Sequence, residues 1–165
     1  RMLYLCKQKI NTIHHTMKKV IGYIRVSTDH QDLERQKTLI RRFCDSKGYT
    51  LMGLIEDFGI SGAESDRKGY QELQALPEGI CDMIVVSELS RLSRDEDVMK
   101  TLNTIYALIA KFDLVMLDDF SKIYNKGERF EFNTFMSLAY KAYGAADERK
   151  KIAERMKALW GEKYK

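Results

Sequence analysis

The chain has 165 residues, 44% hydrophobic and 32% charged, with one proline and a net charge of +4, enough apolar material for one domain with its own core. No apolar run approaches the roughly 20 residues that cross a bilayer, and the basic N-terminal stretch lacks the features of a secretory signal. A cytoplasmic protein with no membrane partner is expected. Cys6, Cys44 and Cys81 are odd in number, far apart and without a C-x-x-C or Cys/His pairing, so nothing suggests a disulfide framework or a metal site and the thiols are expected to be reduced and structural. No metal and no cofactor are expected.

Arg1 precedes Met2, and Met17 is a second plausible start, so residues 1–16 are expected to be an N-terminal extension. Residues 1–28 carry Arg1, Lys7, Lys9, Lys18, Lys19 and Arg25 with no acidic residue. That imbalance suits either a polyanion partner or a solvated basic arm.

Lys19 to Val26 predicts a first strand, with Val20, Gly22, Ile24 and Val26 on one face and Ile21, Tyr23 and Arg25 on the other. Thr28 to Gln31 fits a capping box, and Leu33, Leu39, Ile40 and Phe43 then follow helical spacing until Gly48. Tyr49 to Ile55 predicts a second strand, Asp57 to Lys68 a Gly/Ser-rich loop, and Gly69 to Ala75 a short helix before the break at Pro77 and Gly79. Cys81 to Ser87 is nearly all apolar, as in a strand buried on both faces of a parallel sheet. Ser93 to Glu96 predicts a second capping box, opening a helix with Val98, Leu102, Ile105, Leu108 and Ile109, and Leu114 to Leu117 a fourth strand.

This alternation predicts an α/β fold whose sites gather at the carboxyl ends of the strands, where Ser27 and Glu88 to Arg94 fall. Residues 17–129 would form that core. Residues 130–165 read as one long helix with an apolar stripe of Phe132, Phe135, Ala139, Ala142, Ala146, Ile152, Met156 and Leu159. It is too long for a domain of this size to cover, so a partner helix is expected on part of it.

A serine at a strand end is ordinarily a helix cap. Arg25 beside it adds a fixed positive charge to a helix start, which favours an anion. In "SELSRLSRDED", Arg91 and Arg94 are spaced to face one cleft, although such a pair is also ordinary surface charge. Arg67 follows the flexible loop of Ser61 and Gly62. Together these residues describe a hydroxyl nucleophile among bidentate cations, the arrangement suited to attack on a phosphodiester, whose extra charge in the transition state guanidinium groups can meet.

The chain resembles the serine site-specific recombinases of the resolvase/invertase type. "YIRVST", "DLERQ", "DFGISGAESDRKGY", "SELSRLSRD" and "AADERKKIAER" occur in that family's order, and the similarity runs from about Lys18 to Leu159. The resemblance implies a resolvase-like three-layer α/β/α fold with a mainly parallel sheet. It adds a short antiparallel edge strand around Lys122 to Tyr124, and a long C-terminal helix for dimerisation and DNA contact. It makes Ser27 the nucleophile of a 5′-phosphoserine intermediate, with Arg25, Arg67, Arg91 and Arg94 holding the scissile phosphate. Gln36, Asp57 and Ser61 match supporting positions, and Arg149 and Arg155 match positions that meet the partner subunit or the DNA backbone. Gln36 also lies on the apolar stripe of its helix, where a buried structural hydrogen bond fits as well as an active-site role.

The implied activity is metal-independent site-specific recombination of double-stranded DNA, with homodimers pairing into a synaptic tetramer. Two departures stand out. Ser90 occupies a position where many members carry aspartate, which leaves Glu88 as the nearest carboxylate, for acid/base work or for an ion pair. His30 lies in the first helical turn and reads as a helix residue. The DNA-reading part of the family is not visible, so a catalytic domain truncated before it is expected. A serine transposase on the same domain and a non-cleaving DNA-binding regulator are the alternatives. A flavodoxin-like signalling domain is disfavoured by arginines at the strand ends.

Overall fold

In a computed structural model of the chain, residues 17–26, 30–58, 68–92, 98–118 and 122–163 are described. Five strands form one sheet in the order β2-β1-β3-β4-β5: β1 (Lys19–Val26), β2 (Thr50–Phe58), β3 (Met83–Val86), β4 (Asp113–Met116) and β5 (Lys122–Tyr124). The first three pairings are parallel, and β5 runs antiparallel to β4 at the edge. The helices are α1 (His30–Lys47), α2 (Lys68–Ala75), α3 (Leu89–Leu92), α4 (Val98–Ile109) and α5 (Phe132–Lys163).

Alternation along the strands sorts the core into two layers. Val20, Ile24 and Val26 of β1, with Met83 and Val85 of β3, pack against Leu33, Ile40 and Phe43 of α1. Tyr23, Ile84 and Val86 face the other way, onto Leu73 of α2, Leu102 and Ile105 of α4, and Leu138 and Ala142 of α5. The middle strand β3 is sealed on both faces, which explains its unbroken apolar sequence. The two layers amount to the three-tier arrangement expected from the sequence.

Most elements lie where the sequence places them, with local differences. β2 extends through Asp57 and Phe58, residues assigned above to a loop, because both continue the parallel ladder with Arg25 and Val26. Leu89–Leu92 forms a separate helical turn that periodicity could not register. Arg91 therefore lies within α3 rather than flanking the start of α4. On α1 the buried positions are Leu33, Gln36, Ile40, Phe43 and Cys44, and Leu39 turns outward. α1 ends as a Schellman motif, in which Tyr49 N–H donates to the Cys44 carbonyl and Gly48, at φ +65°, to that of Asp45. The capping boxes at Thr28 to Gln31 and Ser93 to Glu96 fall wholly or partly outside the described residues. Among the described residues no helix is long and apolar enough to cross a membrane.

The topology fixes where a ligand crevice opens. From β1 the chain moves outward to β2, then returns past β1 to β3 and continues to β4 and β5 on the other side. The connections that leave β1 and β3 therefore diverge, and the cleft between their carboxyl ends is the switch point at which such sheets bind ligands.

Candidate active site at the carboxyl edge

Arg25 is the second-last residue of β1 and is almost entirely buried. Its Nη2 donates to the Ser90 carbonyl at 2.7 Å, crossing from β1 to the turn after β3. Arg91, one residue on, is mostly buried, and its Nη2 meets Glu88 Oε1 at 2.8 Å and Asp32 Oδ2 at 3.2 Å. Ser90 Oγ donates to Glu88 Oε1 at 2.6 Å. The carboxylate nearest to the departure at Ser90 is thus engaged in an ion pair with Arg91.

Behind the arginines stands Gln36, with no solvent exposure. Its Nε2 donates to the Arg25 carbonyl at 3.1 Å and to Asp32 Oδ2 at 2.8 Å, and its Oε1 accepts from Ser87 Oγ at 3.2 Å. The amide spans α1, β1 and the end of β3, and satisfies polar groups that would be costly to bury alone. On the opposite face Tyr23 OH donates to Asp57 Oδ2 at 3.0 Å, and Asp57 is buried opposite Arg25 on the next strand. Asp57 also lies under α2, where a Cβ added to Gly69 would come within 2.9 Å of the Glu56 carbonyl oxygen.

Arg25 and Arg91 both line an open groove of about 580 Å³, together with Glu88, Asp118 and, from α5, Tyr140 and Lys141. The protein atoms that crowd Asp118 disfavour its charge and push its carboxyl above the ordinary value; Lys141 opposes this and Glu88 adds to it. The groove is therefore not the purely cationic pocket that the arginines alone suggested. Among the described residues no group of three or more His, Cys, Asp or Glu could hold a metal ion.

Two remote arginines thus share one groove at the switch point of a sheet ordered 2-1-3-4-5. Over residues 20–165 the chain matches the family described as "Resolvase, N terminal domain". This chain belongs to the resolvase family. The resolvase domain is also similar in fold to the N-terminal catalytic domain of TP901-1 integrase, at 24% identity, TM-score 0.53, with 83% of this chain and 99% of that one covered. A resolvase family site-specific recombinase from Streptococcus pneumoniae is similar at 24% identity, TM-score 0.52, with 90% of this chain and 99% of that one covered. No curated protein matches the chain.

Of the residues singled out from the sequence of this resolvase domain, Arg25, Arg91, Gln36 and Asp57 lie together at the carboxyl ends of β1, β2 and β3. Ser27, Ser61, Arg67 and Arg94 fall outside the described residues, as does the side chain of Arg149. Arg155 is exposed on α5, about one helical turn beyond Ile152, the last α5 residue that lines the groove. Sequence reasoning missed Asp32, Ser87 and Asp118. The first had a signal, since it precedes Gln36 by one helical turn on the same face. The other two are polar residues just past buried strands, where a parallel sheet collects its chemistry.

Cys44 and Cys81 are unpaired and buried, and burial pushes both thiols up. They are poor nucleophiles and behave as small core residues.

Proposed function

We propose that this domain cuts and rejoins double-stranded DNA at specific sites through a serine–phosphate ester. Ser27 Oγ attacks a DNA phosphodiester, the Oγ–P bond forms, and the bond from phosphorus to the 3′ oxygen breaks. The 3′ hydroxyl of the exchanged strand later attacks the same phosphorus and releases the serine, so the ester retains the bond energy and no nucleotide cofactor is required. Arg25, Arg67, Arg91 and Arg94 hold the phosphate and meet the charge that develops on its oxygens, a role in which guanidinium forks replace a metal ion. Asp57, Gln36 and Ser61 support that frame. Arg149 and Arg155 follow the phosphate backbone or the partner subunit from α5.

The observation that carries this reading is the meeting of Arg25 and Arg91 in one groove beside the end of β1, the strand that leads directly into Ser27. The subunits act as homodimers that pair into a tetramer, since cutting two duplexes takes four serines.

The test is to incubate the protein with supercoiled DNA carrying its crossover site, quench in denaturant, and look for protein attached to 5′ ends. Ser27→Ala is expected to abolish the adduct, and Arg91→Ala to slow it on the order of a thousandfold while the domain stays folded. An adduct that survives Ser27→Ala, or that forms only with added metal, contradicts the mechanism.

A further inference from the structure

We propose that Asp32 is a positioning residue for Arg91: with Gln36 and Ser87 it forms one hydrogen-bonded unit that fixes the Arg91 guanidinium relative to the end of β1. The inference rests on the recombinase reading above and concerns a residue to which that reading gives no role.

Asp32 lies in the first turn of α1 and uses both carboxylate oxygens. Oδ1 accepts from Arg35 Nη2 at 2.7 Å and Nε at 3.2 Å. Oδ2 accepts from Gln36 Nε2 at 2.8 Å and meets Arg91 Nη2 at 3.2 Å. The orientation of the Gln36 amide is forced, because the Asp32 carboxylate and the Arg25 carbonyl can only accept and so require its NH2. Its oxygen is then left to take the Ser87 hydroxyl. Gln36 thus locks Asp32 to the ends of β1 and β3, and Asp32 passes that constraint to Arg91.

Glu88 meets the same guanidinium nitrogen, yet it does a different job. It belongs to the same short segment as Arg91, its side chain is 37% exposed against 22% for Asp32, and it moves when that segment moves. Asp32 comes from α1, a long helix packed along the sheet, and connects Arg91 to the frame that also holds Arg25. A carboxylate is required because the charge-assisted bond is about twice as strong as a neutral one. An asparagine keeps the shape but loses the charge, and can turn an N–H toward the guanidinium.

Two measurements test this on Asp32→Asn, Arg91→Ala and the double variant. Nitrogen-15 NMR of the labelled protein reports guanidinium rotation: a held arginine gives resolved Nη signals. Arg25, held on the Ser90 carbonyl, is expected to give such signals in every variant. The signals assigned to Arg91 by their loss in Arg91→Ala are expected to be resolved in the wild type and averaged in Asp32→Asn. The rate of adduct formation on crossover-site DNA is expected to fall about tenfold in Asp32→Asn, the loss of one charge-assisted bond. Affinity for the same DNA stays equal or tightens, because a negative charge has gone. In the Arg91→Ala background Asp32→Asn should cost nothing further.

A wild-type rate in Asp32→Asn, or a loss that adds in full to that of Arg91→Ala, overturns the proposal. Should Asp32→Asn fail to fold, Ser87→Ala cuts the same unit at its far end and is read identically; wild-type values in both measurements overturn the proposal there too. If the wild type forms no Ser27-dependent adduct while the Nη signal is resolved and depends on Asp32, the clamp stands and the recombinase reading falls.

Discussion

Asp118 shows how a single group reports on the groove. Its carboxyl lies above its ordinary value of 3.8, first because the surrounding protein disfavours the charge, with Lys141 opposing and Glu88 assisting. A raised carboxyl pKa means that the folded state binds the proton more tightly than the unfolded chain. The ionised group therefore subtracts stability at neutral pH, and that cost disappears as pH falls through the folded value toward 3.8. Asp118→Asn is expected to raise the urea midpoint near neutral pH and to leave it unchanged below 3.8, as denaturation curves at the two pH values will show. At the same scale, the candidate site was only half legible. Arg25 and Arg91 stood out because cations beside apolar strands need a reason. Asp32 and Ser87 did not, since their importance lies in meeting Gln36 and Arg91 across elements that a linear pattern leaves apart.

At the scale of elements, the way α2 seats on β2 depends on an absent side chain. A Cβ on Gly69 would lie 2.9 Å from the Glu56 carbonyl oxygen and 3.2 Å from Asp57 Cβ. The first neighbour is backbone within a sheet ladder and cannot swing aside. Gly69→Ala is expected to cost about 1–3 kcal/mol, read from the chemical denaturation midpoint, and to lift α2 from the strand end that carries Asp57. The strands and helices themselves were readable because hydrophobic period is a local property: β1, β3 and α4 bury the faces that their spacing announced, and α1 does so except at Leu39, which is exposed. The extension of β2 through Asp57 was not, because a buried carboxylate in a strand makes sense only beside Tyr23 OH.

For the whole molecule, α5 poses the open packing problem. Its 32 residues extend about 48 Å, and among the described side chains those that join the core lie in its first part: Leu138 and Ala142, with Phe135 and Ala139 beside them. Phe132, Met136, Tyr140 and Tyr143 are 75%, 48%, 78% and 62% exposed and recur at three- and four-residue intervals, a stripe along one side of the helix. A run of large apolar side chains in water is a contact surface awaiting a partner, and a second copy of the domain fits the dimer proposed above. Sedimentation equilibrium is expected to show concentration-dependent self-association, and Met136→Glu combined with Tyr143→Glu to shift the protein to monomer without loss of helicity. Unchanged association in that variant would place the interface elsewhere. The sequence placed Phe132 and Ile152 on the same stripe as Ala142, yet both are more than half exposed while Leu138 is buried. Periodicity cannot say which of two apolar faces on a long helix meets its own sheet.

The order of strands and helices, the parallel character of the sheet and the presence of an arginine-rich strand edge follow from the sequence alone, because each depends on contacts within a few residues or on the composition of one segment. The pairing order, the groove between β1 and β3 and the linkage of Arg25, Gln36, Asp32, Ser87 and Arg91 were decided only in three dimensions. Hydrogen bonds and ion pairs between distant segments depend on ångström distances, and those are set by how the helices pack onto the sheet rather than by any spacing along the chain.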